Sequence, residues 1–108
     1  MAQFTIDEMM EMQQKLADHY QNPNETPAPE LGPKKTLWMV GEVGEVIDDQ
    51  KKHGFKAIMQ GGKVRAHFVE EMADVLMYYN EILMCYGISS DELRNAYIEK
   101  FEYNMKRW

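Results

Sequence analysis

The sequence predicts an all-α fold of four helices in one domain covering residues 1–108. Three observations carry that expectation. Apolar residues recur at helical spacing through four segments. Two capping boxes, Thr5-x-x-Glu8 and Ser89-x-x-Glu92, mark helix starts. No stretch of useful length alternates apolar and polar as a half-buried strand would. A chain of this size can bury only one modest core.

Taken in order, Thr5 caps a first helix expected from Ile6 to Gln21, with Ile6, Met9, Met10, Leu16, Ala17 and Tyr20 on one stripe. Asn22 to Pro33 holds all four prolines and reads as a loop, either a surface crossover or a lid beside a site. A second helix is expected from Lys34 to His53. Val40, Val43 and Ile47 form its apolar stripe, Leu37 and Val46 flank it, and Lys51, Lys52, His53 and Gly54 mark its end. Gly41 and Gly44 each cost such a helix about 1 kcal/mol, which suggests close approach by a neighbouring helix or a ligand. Phe55 to Gly62 reads as a short irregular connector. The third helix is expected from Lys63 to Tyr86, with Phe68, Met72, Val75, Tyr79, Ile82 and Tyr86 toward the core and Gly87 as its stop. The fourth opens at the Ser89 box and runs to Arg107, with Leu93, Tyr97, Phe101 and Met105 as its apolar positions.

Composition narrows the function. Hydrophobic content of 44% places the chain among globular proteins. A formal charge of −6 argues against nucleic-acid polymer as the partner. Cys85 is the sole cysteine, so no internal disulfide can form, and a reducing cytoplasm is the expected compartment. The N-terminal residues lack the basic and apolar regions of a signal peptide, and no apolar run reaches membrane-spanning length.

The chemistry-bearing residues lie between Lys35 and Tyr79. Glu42-x-x-Glu45 and Glu71-x-x-Asp74 each place two carboxylates one turn apart on one helix face. The first stripe extends through Trp38, Glu42, Glu45 and Asp49, the second through His67, Glu71, Asp74 and Tyr78. Both border the apolar stripe of their own helix, where charges are rarely left unpaired. Four clustered carboxylates call for a cation or protons. Oxygen donors favour Mg²⁺, with Mn²⁺ as the alternative, over zinc. Such a site suits attack of water on a phosphoanhydride, with one glutamate orienting or deprotonating the water. A di-iron bundle would want inward Glu-x-x-His pairs, and the sequence has none. His67, one turn before Glu71, is either a ligand or a partly exposed structural histidine. On the fourth helix Lys100, Asn104 and Arg107 share a face that suits phosphate and sugar or base contacts, or simply solvent.

Gly41-Glu42-Val43-Gly44-Glu45-Val46 followed by Glu70-Glu71-Met72-Ala73-Asp74-Val75-Leu76 resembles the two-part motif of the MazG-like nucleoside triphosphate pyrophosphohydrolases, and the Lys100, Asn104, Arg107 ending is similar to theirs. The resemblance implies a four-helix bundle completed by oligomerisation as a homodimer or homotetramer. It also implies Mg²⁺-dependent cleavage of a nucleoside triphosphate to the monophosphate and pyrophosphate, as nucleotide-pool housekeeping. Glu42, Glu45, Glu71 and Asp74 would be the metal ligands, and Glu42 or Glu45 would also serve the water. Lys100 and Asn104 would contact the nucleotide, and Trp38 would stack on its base. Gly41 and Ala73 depart from residues frequent in that family, and neither is one of the implied ligands. The alternatives are a phosphoribosyl-ATP pyrophosphohydrolase, which shares the acidic layout, and a non-enzymatic helical interaction module.

Overall fold

The computed structural model describes residues 3–20 and 26–107. Among them there are four helices and no strand, as expected: α1 (Ile6–Tyr20), α2 (Gly32–Gln60), α3 (Gly62–Cys85) and α4 (Ser90–Arg107). Both capping boxes form. The Glu8 amide donates to the Thr5 hydroxyl at 3.1 Å and the Thr5 amide donates back to the Glu8 carboxylate at 3.1 Å. At α4 the Glu92 amide donates to Ser89 Oγ at 3.1 Å, and the Ser89 amide reaches Glu92 Oε1 at 3.3 Å.

The connections differ from expectation in two places. Helix α2 starts at Gly32, ahead of Lys34, because Pro33 suits a first helical turn, where its missing N–H is no loss; a 3₁₀ turn at Pro29–Leu31 leads into it. Residues 22–25 of the expected loop lie outside the described residues, as does Gln21, the expected end of α1. At the other end, Gly54 (φ 79°, ψ 163°) breaks the helical path but does not end it. The segment expected to be an irregular connector re-enters a helix and continues to Gln60. Arg65 Nη1 donates to the Ile58 carbonyl at 3.2 Å, supplying a partner to one of the orphan carbonyls of that last turn.

The true reversal is Gly61-Gly62, both at positive φ (92° and 72°), a backbone that side chains resist. It sends α3 back along α2 as an antiparallel pair. At the end of α3, Gly87 (φ 63°) closes a Schellman motif: its amide donates to Met84 O at 3.1 Å and the Ile88 amide to Leu83 O at 2.9 Å.

Helices α2 and α3 form the main packed pair, and α1 lies on α3. Asn80, fully buried, donates from Nδ2 to the Met9 carbonyl at 3.0 Å, tying α1 down. Among the described residues α4 approaches only α1, through Ser90 and Arg94 against Asp7. It does not close a bundle over α2 and α3.

The consequence is a core far smaller than the apolar stripes imply. Val46, Leu83 and Cys85 are its buried apolar side chains, beside buried Gln13, Lys35, Glu71 and Asn80. The positions expected to face the core are largely open: Val40, Val43 and Ile47 on α2, Met72 on α3, and Tyr97, Phe101 and Met105 on α4, where Tyr97 is 75% exposed. The radius of gyration is 16.2 Å, whereas a compact chain of this length has about 13 Å. Helix α2 thus turns its acidic stripe to α3 and its apolar stripe outward. No helix of the described residues is long and apolar enough to cross a membrane.

Candidate functional site

Because α2 and α3 run antiparallel, their two polar stripes meet rung by rung along one seam. The first rung is Lys35 with Glu81, Nζ to Oε2 at 3.2 Å. Next come Trp38 and Tyr78, edge to face with ring centroids 6.2 Å apart. Glu42 then faces Asp74, with Glu45 beside them, and Glu45 lies within electrostatic reach of Glu71. The last rung is Asp49 with His67, Oδ2 to Nδ1 at 2.9 Å.

The rungs thus pair six of the eight residues on the two predicted stripes, and the other two, Glu45 and Glu71, lie within electrostatic reach of each other across the seam. The four candidate metal ligands occupy one seam but do not converge on a point. They divide into Glu42, Glu45 and Asp74 on one side and Glu71 with Asp49 and His67 on the other. The tightest set among the described residues is Asp49, His67 and Glu71, whose ligand atoms all lie within 4.8 Å of one another.

Electrostatics follow from that crowding. Burial, then a hydrogen bond to Glu45 and the charges of Glu45 and Asp74, raise Glu42 above its ordinary value. A hydrogen bond shared with Asp49, followed by burial and the Asp49 charge, pushes Glu71 up to about 7. The same bond, with His67 next, lowers Asp49; Asp49 in turn raises His67. Glu71 and His67 thus both hold a proton more tightly than they would in water.

This has a sign that can be tested. Glu71 binds its proton more tightly folded than unfolded, where its value is 4.5. Its contribution to stability is complete below about pH 4.5 and is lost as pH rises through about 7. His67, also raised, acts in the same direction. In chelator, the melting temperature should therefore fall between about pH 5 and 8, and Glu71→Gln should flatten that slope. A melting temperature that rises over this range would contradict the shared proton.

Lys35 is the residue that sequence reasoning passed over. It is 2% exposed, and its cation sits 5.0 Å from the Trp38 ring while Lys34 lies 4.9 Å from the same ring. Gln13 Nε2 donates to Glu81 Oε1 at 3.4 Å from α1. The only sequence signal was position: Lys35 is one turn before Trp38 on the acidic stripe. Removing one member of a well-buried pair costs more than the pair is worth, because the partner charge is stranded. Glu81 keeps some water contact, so Lys35→Ala should destabilise by about 2–3 kcal/mol, less than for a fully buried pair. A urea titration showing a loss well under 1 kcal/mol would put Lys35 at the surface instead.

An open pocket adjoins this end of the seam, lined by Gln13, Lys35, Trp38, Asp74, Tyr78 and Glu81 among others. It thus runs from the Trp38 face to one of the candidate ligands. Lys100 and Asn104 lie elsewhere, on α4, in a groove with Tyr97, Phe101 and Met105. Within one chain they do not join the seam. Gly41 and Gly44 also depart from expectation: a methyl group at either would meet nothing within 4 Å.

The residues of the seam suit a hard cation. Oε2 of Glu42 and Oε1 of Glu71 are buried without a hydrogen-bond partner. Orphaned carboxylate oxygens facing further carboxylates are what an oxygen-liganded ion would satisfy. No protein-family model, curated protein or solved structure matches the chain.

Proposed function

We propose that the chain is a Mg²⁺-dependent nucleoside triphosphate pyrophosphohydrolase whose site is the α2–α3 seam. The observation that carries the reading is the meeting of the two acidic stripes, with orphaned oxygens on Glu42 and Glu71, beside a pocket that contains Trp38. The motif resemblance to the MazG-like enzymes supplies the reaction class.

In this reading Glu42, Glu45, Glu71 and Asp74 hold Mg²⁺, or Mn²⁺ in its place. When bound, the ion neutralises charge on the phosphates and lowers the pKa of a water. Glu42 and Glu45 orient that water and accept its proton, a role consistent with the raised Glu42 carboxyl. Trp38, which lines the pocket, would stack on the base once the Lys34 side chain swings aside, and Gln13, Lys35 and Glu81 supply polar groups on the same pocket.

A homo-oligomer completes the account. The outward apolar faces of α2 and α4 are those that a second copy would cover. Lys100 and Asn104 would then reach nucleotide from the partner, since in their own chain they lie apart from the seam. An interaction module without activity would also use those faces, but it gives no reason for buried, unsatisfied carboxylates.

The test is a panel of ribo- and deoxyribonucleoside triphosphates, with phosphoribosyl-ATP included, incubated with Mg²⁺ and assayed for pyrophosphate. Release from a nucleoside triphosphate supports the reading. Release from phosphoribosyl-ATP alone assigns the alternative substrate, and no release from any member sinks the enzyme hypothesis.

A further inference from the structure

The last rung of the seam has a different chemistry from the rest. Asp49 on α2, and His67 with Glu71 one turn apart on α3, bring together one imidazole nitrogen and two carboxylate oxygens. His67 Nδ1 is 2.9 Å from Asp49 Oδ2 and 3.5 Å from Glu71 Oε1. A ring nitrogen carries at most one hydrogen, so it can serve one carboxylate and not both. Asp49, the nearer, receives it. Glu71 is 8% exposed, and its Oε1 is left buried with no hydrogen-bond partner. Glu71 shares a hydrogen bond with Asp49, yet Oε1 itself has only the 3.5 Å approach of His67, so an ion in the triangle would give this buried acceptor a partner.

From this triangle we propose a second cation site, formed by Asp49, His67 and Glu71, that takes a divalent first-row transition ion in preference to Mg²⁺. The neutral imidazole would bind through the nitrogen that now faces Asp49, and Glu71 Oε1 would gain the partner it lacks. A mixed nitrogen and oxygen donor set favours ions of the Mn²⁺ to Zn²⁺ series, whereas Mg²⁺ prefers oxygen alone and keeps its waters. The exposed ring of His67 leaves room for water to fill the remaining positions. Glu71 is shared with the proposed Mg²⁺ site, but the inference does not depend on hydrolysis of any nucleotide.

Cobalt(II) is the probe, since its visible absorption reports bound ligands directly. The chelator-stripped full chain is titrated with Co²⁺ in excess Mg²⁺, without nucleotide. One equivalent per chain should bind with a visible band. His67→Gln and Asp49→Asn should each weaken binding by roughly tenfold or more, while Glu42→Gln changes it by less than about threefold. His67 is a surface position and Asp49→Asn keeps its shape, and circular dichroism of both variants confirms that the fold is kept. The proposal is overturned if no Co²⁺ binds in excess Mg²⁺. It is equally overturned if folded His67→Gln and Asp49→Asn bind as the parent does, which would place the ion among the other carboxylates.

Discussion

Glu42→Gln is expected to lower Mg²⁺-dependent pyrophosphate release by roughly 10³-fold, on the order of 4 kcal/mol of transition-state stabilisation. The side chain lies inside the seam between Glu45 and Asp74, and its Oε2 has no partner. An amide of the same shape removes the charge that an ion needs and the base that a water needs. It removes little that holds the fold, because burial and like charges already disfavour the ionised carboxylate. Stability of the variant should therefore equal or exceed that of the parent. Activity and stability moving in opposite directions is the signature of a functional carboxylate. Parallel losses in both would mean that Glu42 is structural, and an unchanged rate would remove it from the site.

The second large effect concerns assembly. Light scattering should give a mass of two or four chains, and Phe101→Asp should reduce that mass and lower the melting temperature. The reason is the imbalance, among the described residues, between a core of three buried apolar side chains and apolar faces left in water. Phe101 and Tyr97 on α4, and Val40 and Ile47 on α2, are among the exposed large side chains. Full burial of one such side chain is worth about 1.5–3 kcal/mol, so several together exceed the margin by which a domain of this size is stable. A charge at Phe101 would have to be buried without a partner, at a cost of several kcal/mol. A monomer that melts cooperatively and tolerates Phe101→Asp would refute this.

Much of the architecture was legible because it is local. Thr5 with Glu8 and Ser89 with Glu92 announce helix starts by chemistry confined to four residues, and both boxes form as expected. The spacing of Trp38, Glu42, Glu45 and Asp49 and of His67, Glu71, Asp74 and Tyr78 showed two polar stripes, each on one helix face, but their antiparallel register depends on the Gly61-Gly62 reversal. What a single sequence does not contain is which surface an apolar stripe meets. Val40, Val43 and Ile47 read as core because apolar faces seek cover, yet nothing in their pattern distinguishes cover by the same chain from cover by a copy. Gly54 was legible as a break but not as a kink, because the helical resumption over Phe55–Gln60 rests on the Gly61-Gly62 reversal beyond it. Lys35 was overlooked for a related reason: lysine reads as surface unless its partner, here Glu81 far along the chain, is known.

The most direct test of the seam is calorimetric titration of a nonhydrolysable nucleoside triphosphate into the protein, with Mg²⁺ and again with chelator. Binding should require Mg²⁺ and should disappear in Glu71→Gln, which removes the one proposed ligand that also belongs to the Asp49–His67 rung. Equal binding with and without the ion, or undiminished binding by Glu71→Gln, would contradict a cation-dependent phosphate site in the seam.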